Sequence, residues 1–217
     1  MRNNFPALGE VAALLARLQA RLQGELPGER AHAPMRPPGR LSAPPPEMPP
    51  ARQAGVLLLL YPRSSVLHFV LTQRANALTR HAGQIALPGG QFEDHDGDII
   101  RTALREASEE LGPLPPALRV LGRLSPVYVQ PSHFWMTPVL AYTPTPPLFQ
   151  PASSEVASLI EVPITALLTP QSRCMIQRVL SDGALAEVPA FRFATYEVWG
   201  ATAMVLNEFA TLLHEVL

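Results

Sequence analysis

Apolar positions change their period several times along the chain, and each change marks an element. Val11, Leu14, Leu15, Leu18 and Leu22 recur at helical spacing and predict an amphipathic helix over 10–23. Nine prolines then fall between Pro27 and Pro50, among them Pro44-Pro45-Pro46. Proline lacks an amide proton and fixes φ, so this stretch is predicted to be an extended linker or wrap rather than helix or sheet. From Gly55 the texture turns to strands: Val56–Tyr61, a turn at Pro62-Arg63-Ser64-Ser65, then Val66–Gln73 as the hairpin partner. Further strands are expected at Leu118–Leu124, Trp135–Tyr142, Glu155–Val162 and 191–198, the last because Phe191, Phe193 and Thr195 alternate with Arg192 and Ala194. Helical spacing returns at Ile100, Ala103, Leu104, Ala107 and Leu111, and again from Trp199 through Ala203, Leu206, Ala210 and Leu213 to Leu217. Strands mixed with flanking helices indicate an α/β (α+β) sandwich. The expected organisation is a helix and proline-rich arm over 1–53 and a globular domain over 54–217. The first helix packs either back on that domain or against a second subunit of a homodimer.

The helix after Gly89-Gly90 carries Arg105, Glu106, Glu109 and Glu110. At about 100° per residue the three carboxylates share an arc of roughly 100° beside the apolar stripe. They repel one another, and they sit where the helix dipole disfavours negative charge. Arg105 can pair with Glu109 one turn on, which offsets one charge of the cluster. A divalent cation offsets the rest, and Mg²⁺ favours a few carboxylates together with substrate phosphates. On its own, REASEE reads as a solvated helix end. The Gly-Gly turn at its entrance changes that, because glycine lets backbone approach a ligand closely.

Bulk properties narrow the class further. A chain of 217 residues, 47% hydrophobic and with net charge −1, is an ordinary globular protein with no electrostatic case for nucleic acid. Its longest apolar run, Val56 to Tyr61, is far too short to span a bilayer, so no membrane partner is expected. The start, MRNNFPALGE, lacks the layout of a signal peptide, and Cys174 is the single cysteine. A reducing cytoplasm is therefore the expected compartment.

The segment GGQFEDHDGDIIRTALREASEELG resembles the Nudix box, whose second half runs Arg-Glu-apolar-x-Glu-Glu-x-Gly-apolar. Arg105, Glu106, Ala107, Glu109, Glu110 and Gly112 match in register, with Pro113 in the last apolar place. The front half is one residue longer than the pattern, so Glu93, Asp94, Asp96 and Asp98 all compete for the role of its first Glu. The resemblance implies a mixed sheet held between helices, with the box as loop–helix–loop. It also implies a hydrolase in which Glu106, Glu109, Glu110 and the Gly90 carbonyl hold Mg²⁺ or Mn²⁺.

A wider resemblance narrows the substrate. LTQRANALTRHAGQIALPGG, residues 71–90, is similar to the segment that marks coenzyme A pyrophosphatases. Leu71, Thr72, Arg74, Gly83, Pro88, Gly89 and Gly90 match it, while Ala75, Thr79 and Leu87 depart. EVASLIEVPITALL (155–168) and YEVWGATAMVL (196–206) resemble later segments of the same branch. The resemblance implies cleavage of coenzyme A or its thioesters into 3′,5′-ADP and (acyl-)4′-phosphopantetheine. Glu109, Glu110, Arg105 and Glu155 are the candidate catalytic residues, with Arg105 read chiefly as an orienter of Glu109. Glu155 stands where relatives keep an additional ligand or base. Arg74 and Arg80 are the candidate contacts to phosphate, since guanidinium forks fit phosphate oxygens; His81, which can assist proton transfer or hold its loop, and Gly89 complete the candidate substrate-binding set. Tyr128, Phe134 and Trp135 lie where adenine or pantetheine could rest, and Trp199 reads as a core residue of the last helix. Two other readings stay open: hydrolysis of another nucleoside diphosphate derivative such as NADH or ADP-ribose, and a Nudix fold that binds a nucleotide without turning it over.

Overall fold

The computed structural model describes residues 10–75, 83–180 and 183–217. Strand β1 (Arg52–Arg63) is its axis, with apolar residues facing both ways. A strand buried on both faces reads as a continuous hydrophobic run, as Val56–Tyr61 does. It pairs antiparallel with β2 (Val66–Arg74) through a turn at Ser64-Ser65, both at positive φ, and parallel with β7 (Phe134–Tyr142). Pro62 and Arg63, expected in the turn, remain paired with Leu67 and Val66. The short β3 (Ile85–Ala86) pairs with β2, β4 (Gly89–Gln91) with β1, and β5 (Arg119–Arg123) and β6 (Val127–Val129) with β7. With β8 (Val156–Pro163) on β2, this makes an eight-stranded mixed sheet.

Side chains alternate across β1, so the sheet has two distinct cores. Leu57, Leu59 and Tyr61 meet Ala103, Ala107 and Leu111 of α3 (Ile99–Leu111), the predicted acidic helix. Leu58 and Leu60 face α1 (Val11–Arg21) and α5 (Gly200–Val216). The stripe Val11, Leu14, Leu15 and Leu18 of α1 is thus covered within the chain itself. A short helix α4 (Ile164–Leu168) follows β8 and buries Ile164 and Leu167 in the same core. Among the described residues, no helix is long and apolar enough to cross a membrane.

Two expectations need correction. The stretch 191–198 is a hairpin rather than one strand: β10 (Leu185–Phe193) turns at Ala194, φ 53°, into β11 (Tyr196–Trp199). Together with β9 (Arg173–Val179) these strands form a separate antiparallel sheet. Trp199 consequently ends β11 at the entrance of α5 and is not part of the helix. The proline-rich arm, expected to hold no helix, contains a single turn of helix, α2 (Glu29–His32), and a tighter turn over Ala33–Met35.

Tertiary hydrogen bonds explain that turn. Glu208 of α5 is fully buried and accepts from Gly28 N at 3.0 Å, Ser125 N at 3.1 Å and the Ser125 hydroxyl at 2.5 Å. Its Oε2 also lies 3.0 Å from His32 Nε2. Burial pushes the Glu208 carboxyl up, but His32 and Ser125 outweigh it, leaving the group below its ordinary range. Replacing Glu208 by Ala is expected to cost about 3–5 kcal/mol in urea unfolding at neutral pH, because four donors lose their acceptor. The sign follows from a folded pKa below the unfolded one: the contribution is present above the ordinary value and fades as pH falls through the folded one. The gap between the two proteins should therefore shrink in acid.

Candidate active site

The site is built where α3 leans on the β1–β4 pair. Gly55 stands opposite Gly90, and Val56 opposite Gly89. A Cβ on Gly55 would lie 2.6 Å from the Ile99 carbonyl and 2.9 Å from the Ala103 amide, so only a bare backbone lets α3 sit this close. A Cβ on Gly90 would fall on the Glu106 carboxylate, 2.7 Å from Oε1 and nearer to Oε2. The expected Gly-Gly turn is thus a strand edge whose missing side chains form a cradle for Glu106. Asp98 starts α3 by accepting from Ile100 N and Arg101 N, each at 2.9 Å, which fixes the helix register and so the direction of each carboxylate.

Of the four acids ahead of the helix, Asp96 alone is buried; Glu93, Asp94 and Asp98 are exposed. Asp96 accepts from Arg105 twice, Nε at 2.7 Å and Nη2 at 3.0 Å, and from the Thr102 hydroxyl and Glu93 N, each at 2.9 Å. The Arg105 guanidinium foremost, with those other donors, holds the Asp96 carboxyl well below the usual range. Arg105 also reaches Glu106 Oε1 at 2.9 Å and the Gln91 carbonyl at 3.1 Å, but Glu109 only at 3.4 Å. Its tightest partner is therefore Asp96, not the Glu109 that helical spacing suggested. Asp96→Asn is expected to lower kcat/KM about tenfold with the fold retained, because Arg105 loses the charge that aims it. Steady-state kinetics beside a thermal melt would check this, and unchanged kinetics would make the pair purely structural.

The carboxylates differ in environment. Glu109 is exposed and Glu106 half-buried, whereas Glu110 is 4% exposed. Burial raises Glu106 above its ordinary range, Arg105 opposes this, and the charges of Glu109 and Glu155 add to it. Burial also pushes Glu110 up to about 7, against Arg74 and the Gly89 amide, with Glu155 and Glu106 contributing. Glu110 Oε1 lies 3.7 Å from Arg74 Nη1, while its Oε2 is buried without a hydrogen-bond partner. An orphaned buried carboxylate oxygen beside like charges and backbone carbonyls suits a hard divalent cation. As they stand, no three His, Cys, Asp or Glu groups among the described residues are grouped closely enough to hold an ion. Arg105 occupies Glu106 and leans on Glu109 in this arrangement. Glu155, exposed just before β8, is felt electrostatically by both raised carboxyls.

A cavity of about 590 Å³ opens beside these groups. Gly89, Gly90 and Arg74 form one part of its lining, together with Gln84–Leu87, Trp199 and the start of α5, Gly200 to Thr202. Phe134 also lines it, while Tyr128 and Trp135 line a second, smaller hollow, their rings tilted by 53° with centroids 5.6 Å apart. Trp199, read from the sequence as core, lines the cavity and packs against the small sheet. Arg80 and His81 fall outside the described residues. Sequence reasoning missed the arm: Pro37, Pro38, Gly39 and Arg40 reach this cavity, and no periodicity or motif in that stretch signals it.

Residues 50–179 match the NUDIX domain family. The chain is 36% identical over 164 residues to the uncharacterized Nudix hydrolase NudL of Cronobacter sakazakii, covering 76% of this chain and 84% of that protein. The NudL of Escherichia coli O1:K1 / APEC is 35% identical over 159 residues, 73% of this chain and 81% of its own. Among solved structures, a MutT/nudix family protein from Enterococcus faecalis superposes with a TM-score of 0.51 at 15% identity, covering 79% of this chain and 66% of that one. That likeness is one of fold.

Proposed function

This chain belongs to the Nudix family of hydrolases, and we propose that it is the pyrophosphohydrolase that cuts coenzyme A or acyl-coenzyme A into 3′,5′-ADP and (acyl-)4′-phosphopantetheine. One observation carries the reading. Two of the three segments that resemble the coenzyme A branch, 71–90 with its Arg74, Gly89 and Gly90 and 196–206 at the start of α5, are far apart in sequence yet line one cavity. Its volume, about 590 Å³, suits a ligand of nucleotide size.

Nudix hydrolases work with a divalent cation, here Mg²⁺ or Mn²⁺, and the donor set fits one. Glu106, Glu109, Glu110 and the Gly90 carbonyl would hold it, with the unpartnered Glu110 Oε2 and the Gly90 cradle as the features that favour it. When bound, the ion offsets charge on the diphosphate and acidifies water. The remaining work falls to side chains. Arg105, braced on Asp96, keeps Glu106 and Glu109 from splaying apart. Arg74, with a buried Nε free of hydrogen bonds, offers a fork to phosphate oxygens, and Arg80, His81 and the Gly89 backbone are its proposed companions. Without the cation, burial pushes Glu110 up to about 7, so binding the ion would release its proton, and Glu155 is the candidate for proton exchange during turnover.

Product analysis by mass spectrometry tests the reading, using coenzyme A, acetyl-coenzyme A, NADH and ADP-ribose, each with Mg²⁺ and with chelator. Metal-dependent 4′-phosphopantetheine as the dominant product is expected. Faster cleavage of NADH or ADP-ribose would retain the chemistry and overturn the substrate.

A further inference from the structure

The proline-rich arm supplies a charged group to the cavity. Backbone bonds on either side of Arg40 hold it there: its own amide donates to the Pro37 carbonyl at 3.2 Å, and the Leu41 amide to Gln130 Oε1 at 3.0 Å. Its guanidinium reaches the opening of α5, with Nη1 3.9 Å from where a Cβ on Gly200 would stand. No side chain caps that end of the helix.

Most neighbouring arginines are engaged, and Arg74 sits 3.7 Å from Glu110. Arg36 pairs with Glu29, Arg105 with Asp96, and Arg52 stacks 4.0 Å over Phe134 while bonding Gln91. Arg40 lines the cavity with no carboxylate partner among the described residues. Burial alone acts on it, lowering its hold on the proton with no acid to compensate. A partly desolvated guanidinium with no counter-charge is unfavourable until an anion arrives.

We propose that Arg40, carried into the site by the N-terminal arm, binds a substrate phosphate other than the diphosphate that is cut. Resting on the coenzyme A reading, this assigns it the 3′-phosphate. The diphosphate belongs beside Glu106, Glu110 and Arg74, on the Gly89–Gly90 part of the lining. Arg40 belongs instead to the part made by the arm and α5. A planar guanidinium matches a phosphate dianion in two parallel hydrogen bonds, and the helix opening, which no side chain caps, adds to its potential.

The test compares kcat/KM for coenzyme A and 3′-dephospho-coenzyme A in the full-length protein and in Arg40→Ala and Arg40→Lys. Calorimetric binding of 3′,5′-ADP and 5′-AMP to the same proteins runs alongside. The wild type should favour coenzyme A by about tenfold or more, Arg40→Ala should abolish that ratio, and Arg40→Lys should keep part of it. The advantage of 3′,5′-ADP over 5′-AMP in binding should vanish in Arg40→Ala by the same factor. A ratio unchanged in Arg40→Ala, with coenzyme A still cleaved, overturns the assignment and leaves the coenzyme A reading standing. Wild-type protein that leaves coenzyme A intact sinks that reading instead. Calorimetry then decides Arg40 by itself, since 3′,5′-ADP bound no more tightly than 5′-AMP would remove it as a phosphate site.

Discussion

Glu110→Gln is expected to lower kcat about a thousandfold while leaving the protein folded and, without metal, more stable in mild alkali. The residue is almost wholly buried, one oxygen has no partner, and its pKa stands near 7 against an ordinary 4.5. Gln keeps the volume and removes the charge. A carboxylic acid whose folded pKa is raised binds more protons folded than unfolded between those two values. Stability therefore falls as pH rises from 4.5 to 7, and above 7 the penalty is fully present. It is on the order of 3 kcal/mol, so the metal-free variant should outlast the wild type at pH 8 and lose that advantage by pH 4.5. Urea unfolding in chelator at both pH values reads this directly. Added Mg²⁺ should stabilise the wild type and barely move the variant. An unchanged kcat with a normal metal response would take Glu110 out of the chemistry. Two inactive proteins with matching metal responses would favour the non-catalytic reading.

The adjacent glycines should separate stability from activity. In Gly89→Ala the new Cβ meets backbone, lying 2.8 Å from Val56 Cγ1 and closer to the Gly55 carbonyl and Val56 Cα, at a φ of 151°. Neither strand can yield without breaking the β1–β4 pair, so a loss of about 2–4 kcal/mol is expected. In Gly90→Ala the obstruction is the end of the flexible Glu106 side chain, which can swing away at little cost to folding. Stability should change by less than about 1 kcal/mol, while kcat/KM falls about a hundredfold, because a displaced carboxylate spoils positioning. The reverse pattern would refute the view that Gly90 shapes the metal cradle.

What the sequence revealed depends on how local each determinant is. The acidic helix was legible because apolar spacing and the carboxylate cluster both lie within thirteen residues, Ile99–Leu111. The partner of Arg105 was not, since four acids compete and only the docking of α3 on Gly55 decides that Asp96 is the buried one. Strand β9 escaped notice because its outward positions, Met175 at 52% and Val179 at 65% exposure, are apolar and blur the alternation. The turn at Ala194 was hidden for a similar reason: Phe191 and Phe193 continue into Thr195 with no glycine or proline to mark the reversal. Helix α2 owes its shape to Glu208 and to Asn207, whose amide donates to the Ala31 carbonyl at 2.7 Å, and both stand far downstream.

That last distance bears on the order in which the protein is made. Residues 28, 32 and 125 all converge on Glu208, so the α2 end of the arm has nowhere to fasten until the closing helix has been synthesised, although Leu41 can already reach Gln130. The central sheet can assemble beforehand from strands already complete by Pro163. Contacts this remote in sequence are the slowest to form. A chain still on the ribosome can therefore hold its acidic helix in place while the cavity stays open on the side that α5 completes. Completion of the cavity wall then comes last, set by the closing helix rather than by the catalytic one.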